Sequence, residues 1–84
     1  MSYQVIVKPS AEKEWLRLPD RTRQAVADML LLLEETPRPT GVKKLRGREG
    51  WRARVGEYRI LYIIDDSSQK ITVLSIAHRR DVYR

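Results

Sequence analysis

The chain has 84 residues and no cysteine, so it forms one small domain whose core gets no help from disulfides or a thiolate-bound metal. Its longest apolar run, residues 29–33, is far short of the ~20 residues a membrane helix needs, which excludes a helical span. The net charge of +6 is lopsided: residues 1–37 hold five Lys/Arg against six Asp/Glu, residues 38–84 twelve against five. A basic excess confined to one half points to an anionic partner, nucleic acid before acidic protein. The start of the chain lacks the basic-then-apolar pattern of a signal peptide, and with no cysteine to protect, a reducing cytoplasm is the expected location.

Residues 3–8 (YQVIVK) predict a short strand, and apolar side chains on both its faces predict cover on both sides. Pro9-Ser10 ends it, with Ser10 as the expected cap of a helix over 11–18. Pro19 breaks the chain, Asp20 can cap again, and residues 21–35 carry Ala25, Val26, Met29, Leu30 and Leu33 at helical spacing, a stripe that Leu31 and Leu32 widen. The two helices form a hairpin whose apolar side must cover a sheet. Prolines and Gly41 punctuate residues 36–41 and open a loop that carries Lys43, Lys44, Arg46 and Arg48, with Leu45 as its expected anchor.

Residues 51–64 (WRARVGEYRILYII) are two strands joined by Gly56-Glu57, and a two-residue loop with glycine first suits a type II′ turn. That turn sets Val55 opposite Tyr58, Arg54 opposite Arg59, Ala53 opposite Ile60 and Arg52 opposite Leu61. One face then carries Trp51, Ala53, Val55, Tyr58, Ile60 and Tyr62, aromatic and apolar enough to lie under the helices. The other carries Arg52, Arg54 and Arg59. Like charges directly opposite each other destabilise a strand pair, so this arrangement makes sense if an anion fills the space between them, and arginine forks suit phosphate oxygens.

After a polar turn at residues 65–69, residues 70–78 (KITVLSIAH) predict the last strand. Strict alternation puts Ile71, Val73, Ser75, Ala77 and Arg79 on one face, and Thr72, Leu74, Ile76, His78 and Arg80 on the other. The order β-α-α-β-β-β is an α+β domain: an antiparallel sheet with a two-helix hairpin packed on one face.

Three segments, KKLRG at 43–47, WRARVGEYRILY at 51–62 and HRRDVY at 78–83, resemble the RelE branch of the RelE/ParE toxin superfamily in order, spacing and chain length. The resemblance implies a fold similar to small microbial ribonucleases and a toxin that enters the ribosomal A site and cuts mRNA there without a cofactor or metal. It also implies a RelB-like antitoxin that silences the toxin, with operator DNA bound only through the pair. Carried over residue by residue, the family's catalytic positions correspond to Arg52, Arg54, Arg59, Arg79 and Tyr83. Lysines stand in the best-known member where this chain has Arg52 and Arg54, and where it has His78. Lys43 falls where the related toxin YoeB has its glutamate base.

RNA cleavage through the 2′-hydroxyl needs a base, positive charge for the phosphorane and an acid for the leaving 5′-oxygen. Arginine stays protonated, so Arg52, Arg54, Arg59 and Arg79 suit charge stabilisation and not proton transfer. Tyr83, whose phenolate neighbouring cations would favour, and His78, whose imidazole can take up a proton, remain the two candidates for the base. Lys43, Lys44, Arg46, Arg48 and Arg80 are expected to contact ribosomal RNA phosphates, which position without specifying sequence. A ParE-like toxin that poisons gyrase without nuclease activity is the alternative within the same fold.

Overall fold

The structure, a computed structural model, describes residues 2–81. The elements run β1 (Gln4–Val7), α1 (Pro9–Leu16), α2 (Asp20–Glu35), β2 (Lys43–Lys44), β3 (Trp51–Val55), β4 (Tyr58–Asp65) and β5 (Lys70–His78). Pro9 opens α1 from inside the helix, where its missing N–H costs nothing, so Lys8 is the cap residue and the expected cap Ser10 lies in the first turn. Asp20 is likewise the first residue of α2, after Pro19, and neither helix has a side-chain cap bond.

The sheet order is β1-β5-β4-β3-β2. From β2 to β5 it is antiparallel as expected, and it gains one parallel pair, β1 with β5. The helices carry the chain from one edge of the sheet to the other, and the strands step back by three reversals, which returns β5 beside β1 in the same sense. Lys43 and Lys44, expected in a loop, form the edge strand against Arg52 and Trp51.

Both helices lie on one side. Ala11, Leu18, Val26 and Leu33 meet Ala53, Ile60, Tyr62, Ile71, Val73 and Ile76, with Trp15, Trp51 and Tyr58 packed around them. β1 is therefore covered on one face only: Val5 and Val7 join the core while Ile6 is 39% exposed. Leu31 and Leu32 also stay outside, at 61% and 45% exposure, because the helix stripe that meets the sheet is narrower than the run of leucines.

The last strand does not alternate strictly. Leu61 pairs with Ser75 but Tyr62 pairs with Val73, so β5 carries one extra residue, Leu74, at a bulge. Beyond it the faces exchange. Ile76 joins Ile71 and Val73 in the core, and Ala77 turns to the open face, opposite Arg59. Leu45, Leu61, Leu74 and Ala77 make a second, smaller cluster there, so Leu45 anchors its loop to this cluster and not to the main core. Gly50 closes that loop at φ 132°, where a Cβ would stand 3.0 Å from Leu45 Cδ1 and 3.1 Å from the Tyr62 carbonyl oxygen.

Two side-chain bridges hold the ends of the sheet. β5 runs past the last β1 pair, Val7 with Val73, and there Glu14 of α1 accepts the Ile76 N–H at 3.0 Å and the Ser75 hydroxyl at 3.3 Å. At the other end, Asp66 accepts Nη2 of Arg38 at 2.8 Å and the Tyr3 hydroxyl at 2.6 Å. Arg38 also lies 5.3 Å over the Trp51 ring, and the Tyr62 hydroxyl donates to the Pro37 carbonyl at 2.8 Å. The bond from Arg38, and next that from Tyr3, holds the Asp66 carboxyl below its ordinary value, the same contact raises the Tyr3 phenol, and burial pushes Tyr62 up to about 12.

Glu14→Ala removes the acceptor from the half-buried Ile76 N–H and should cost about 1–2 kcal/mol in urea unfolding, while Glu14→Gln retains most of that. The pH profile follows from the shifts. Asp66, depressed in the fold, contributes stability above its unfolded value that is lost as pH falls through its folded one. The raised phenols contribute stability below about pH 10 that is lost as pH rises through theirs. Thermal melts should therefore show the deficit of Asp66→Asn shrinking below about pH 4, and Tyr62→Phe flattening the alkaline decline. An unchanged deficit down to about pH 2 would contradict the assignment to Asp66.

Candidate nucleic-acid interface

The hairpin register is the expected one: Val55 faces Tyr58, Arg54 faces Arg59, Ala53 faces Ile60 and Arg52 faces Leu61. Gly56 turns at φ 58°, and Gln69 is the only non-glycine with positive φ among the described residues, so Glu57 takes the second place of a type II′ turn. The edge strand adds a second like-charge opposition, because Lys43 lies directly across from Arg52. Two adjacent strand pairs thus set cation against cation on the face that no helix covers.

These side chains share a cleft. Arg52, Arg54, Arg59 and Lys43 line a groove of about 310 Å³ together with Met29 and residues 40–42. Arg59 is folded back on the turn, donating through Nη1 to the carbonyls of Tyr58 at 3.1 Å and Gly56 at 3.4 Å. Burial, and after it the charges of Arg54, Arg52 and Arg79, hold the Arg59 guanidinium below its ordinary value, while Glu57 opposes them. Arg79 follows β5 and reaches this group because the bulge at Leu74 exchanges the faces; strict alternation sets it with the core side chains. Its Nε contacts Glu57 at 2.8 Å, and its backbone N–H donates to the Glu57 carbonyl at 2.8 Å, so the start of the C-terminal segment is tied to the hairpin turn.

Lys43, Lys44, Arg46 and Arg48 are exposed and line a second groove of about 580 Å³ with Leu45 and Arg52. Lys43 and Arg52 belong to both grooves, so the basic surface is continuous from the loop to the hairpin. Arg80 is exposed and lies in neither groove.

His78 does not join the arginines. It pairs with Tyr58, the two rings meet edge to face at 5.4 Å between centroids, and its Nδ1 accepts the Arg80 N–H at 3.2 Å. Tyr58 packs against the main core, so His78 is on the helix side of the sheet, away from Arg54 and Arg59. Tyr83 lies outside the described residues. Thr40, Gly41 and Met29 were not expected at the site. The proline-punctuated segment before Gly41 was its available signal, since a segment that stiff can serve as a wall as readily as a linker.

Among the described residues, no three or more His, Cys, Asp or Glu side chains gather, and no helix is long and apolar enough to cross a membrane. The arrangement concentrates positive charge that can hold an anion, with Arg59 Nη1 already given to backbone carbonyls and Arg79 Nε to Glu57.

Residues 5–83 match the family model described as the ParE toxin of the type II toxin–antitoxin system parDE. The toxin RelG of Mycobacterium tuberculosis is 35% identical over 86 residues, covering 100% of this chain and 99% of that protein. In the crystal structure of the toxin–antitoxin complex RelBE2, also from M. tuberculosis, one chain superposes with a TM-score of 0.84 at 32% identity over 94% of this chain and 100% of its own length. The archaeal RelE–RelB complex of Pyrococcus horikoshii OT3 contains a chain with a TM-score of 0.86 at 27% identity, covering 98% of this chain and 100% of that one. With the whole chain matched in sequence and in fold by toxins of this kind, the protein belongs to the RelE/ParE superfamily of type II toxin–antitoxin toxins, among the RelE-type members.

Proposed function

We propose that this protein is a ribosome-dependent endoribonuclease that cuts mRNA in the A site and so arrests translation. The observation that carries the reading is the pair of like-charge oppositions, Arg54 with Arg59 and Lys43 with Arg52, on one open cleft. Such pairs cost the free protein stability, and a bound polyanion would offset that cost. In this reading the ribose 2′-oxygen attacks the adjacent phosphorus. The 2′-proton goes to a base, the P–O5′ bond breaks with a proton delivered to the leaving 5′-oxygen from an acid or solvent, and the products are a 2′,3′-cyclic phosphate and a 5′-hydroxyl. Arg52, Arg54, Arg59 and Arg79 stabilise the doubly charged phosphorane. Tyr83 is our candidate for the base, because His78 is on the other face of the sheet.

The loop groove formed by Lys43, Lys44, Arg46 and Arg48 would grip ribosomal RNA backbone, leaving the ribosome to present the codon. Arg80 would add a further backbone contact. Relatives solved as RelB–RelE complexes support a cognate RelB-like antitoxin as the silencing partner, and an acidic segment would suit this surface. Operator DNA would be met only through that complex. The ParE description of the family model favours one second reading, a gyrase poison, which has no use for a phosphate cleft.

Primer extension on a defined mRNA in programmed ribosomes with an empty A site separates them. The nuclease reading predicts a cut within the A-site codon that is absent on naked mRNA and falls by about 10²–10³-fold in Arg59→Ala. A folded protein that stays toxic in cells but cuts nothing would move the assignment to the gyrase reading.

A further inference from the structure

The segment that connects α2 to β2 reads in the sequence as punctuation, yet it forms one wall of the arginine cleft, through residues 40–42. Its downstream end is held directly: Val42 packs against the main core, its N–H donates to the Pro39 carbonyl at 3.2 Å, and Lys43 pairs with Arg52. Thr40 and Gly41 are exposed, Gly41 sits at φ 97°, and no heavy atom outside its chain neighbours comes within 4 Å of where its Cβ would be. The upstream part, Thr40 and Gly41, is held from Pro37 and Arg38, by contacts to three distant parts of the chain. Pro37 gives its carbonyl to the Tyr62 hydroxyl at 2.8 Å. Arg38 forks onto Asp66, at 2.8 Å through Nη2 and 3.4 Å through Nη1, and lies 5.3 Å over the Trp51 ring. Asp66 is in turn held by the Tyr3 hydroxyl at 2.6 Å.

We propose that Arg38 is a positioning residue for the anion cleft, holding the upstream part of the wall, Thr40 and Gly41, against β3 through its fork to Asp66 and its stacking on Trp51. This rests on the cleft being the phosphate site described above. The chemistry favours arginine at this position. A planar guanidinium can give two N–H groups to one carboxylate while its face rests on an indole, and a lysine can do only one of these well. A lone exposed ion pair holds little, but a bidentate pair that also takes a phenol and a ring is a network. Its output is geometric: Trp51 immediately precedes Arg52, so the guanidinium clips the wall to the strand that carries two of the cleft arginines.

The test uses the full-length protein and inorganic sulfate as the probe. Sulfate affinity is read from melting temperature against concentration, and amide hydrogen exchange is followed at residues 40–43. If release leaves the wall in place only a third to a tenth of the time, Arg38→Ala should weaken sulfate binding about three- to ten-fold. Exchange should quicken at residues 40–43 and not in the core strands. Asp66→Asn, which keeps the shape and removes the charge, should move both readouts the same way, and the exchanged pair Arg38→Asp with Asp66→Arg should recover part of the loss. Arg59→Ala serves as the reference. If it loses sulfate while Arg38→Ala and Asp66→Asn bind as the wild type does, the positioning role is wrong and the cleft stands. Faster exchange across the whole domain would equally overturn it, as a mere loss of stability. Undiminished sulfate binding in Arg59→Ala would remove the cleft reading and this proposal together.

Discussion

The constraint that organises this molecule is electrostatic and unfavourable. Arg54 is fixed opposite Arg59, and Lys43 opposite Arg52, in a sheet whose register the core on the other side dictates. Slipping the hairpin by one residue would relieve the repulsion, but it would also turn Ala53, Ile60 and Tyr62 out of the core, and burial of such side chains is worth far more than an exposed charge contact. Two helices on one side therefore serve a purpose beyond stability. They make the register non-negotiable and hold the cations together on the other side, so the positive field exists before any ligand does. The charge is gathered in advance, although Arg59 Nη1 and Arg79 Nε would have to leave the carbonyls and Glu57 they now hold to meet a ligand.

Two local irregularities complete the surface. The bulge at Leu74 exchanges the faces of β5, which lets Ile76 fill the core while Ala77 and then Arg79 reach the open side. The small cluster of Leu45 and Leu61, with Leu74 and Ala77, pins the basic loop to the same side. Both features use apolar side chains on the face that no helix covers. Both sit beside the arginines and not beneath the helices, so they shape the site and leave the main core untouched.

Much of this was legible in the chain. The hairpin register followed from Gly56-Glu57 and the alternation of residues 51–64, because a two-residue turn leaves no freedom of pairing. The helices and the main core followed from Val26, Leu33, Ile60 and Tyr62 at their helical and strand periods. What could not be read was non-local. An extra residue in β5 carries no composition signal, so strict alternation misplaced Ala77 and Arg79. The second face of β1 looked covered because Ile6 is apolar, although both helices fall on one side. The parallel β1–β5 pair depends on where the chain returns after three reversals. The bridge from Arg38 to Asp66 spans 28 residues, and Glu14 reaches across 61 and 62, contacts that no local pattern announces. His78 was kept on one face with Ile76, but both were set with Leu74 and not with Ile71 and Val73, and its contact with the Tyr58 ring needed the pairing of β4 with β5.

On the proposed function, these cations are held together against their own repulsion for the sake of an anion. Thermal melts of Arg54→Gln beside the wild type, at low ionic strength and then in sulfate, test it most directly. Arg54→Gln should melt about 1–4 °C higher at low salt, because one like-charge opposition is gone. Sulfate should raise the melting temperature of the wild type more than that of Arg54→Gln, and more than an uncharged osmolyte of equal strength does. An Arg54→Gln protein that melts no higher at low salt and responds to sulfate as the wild type does would contradict it.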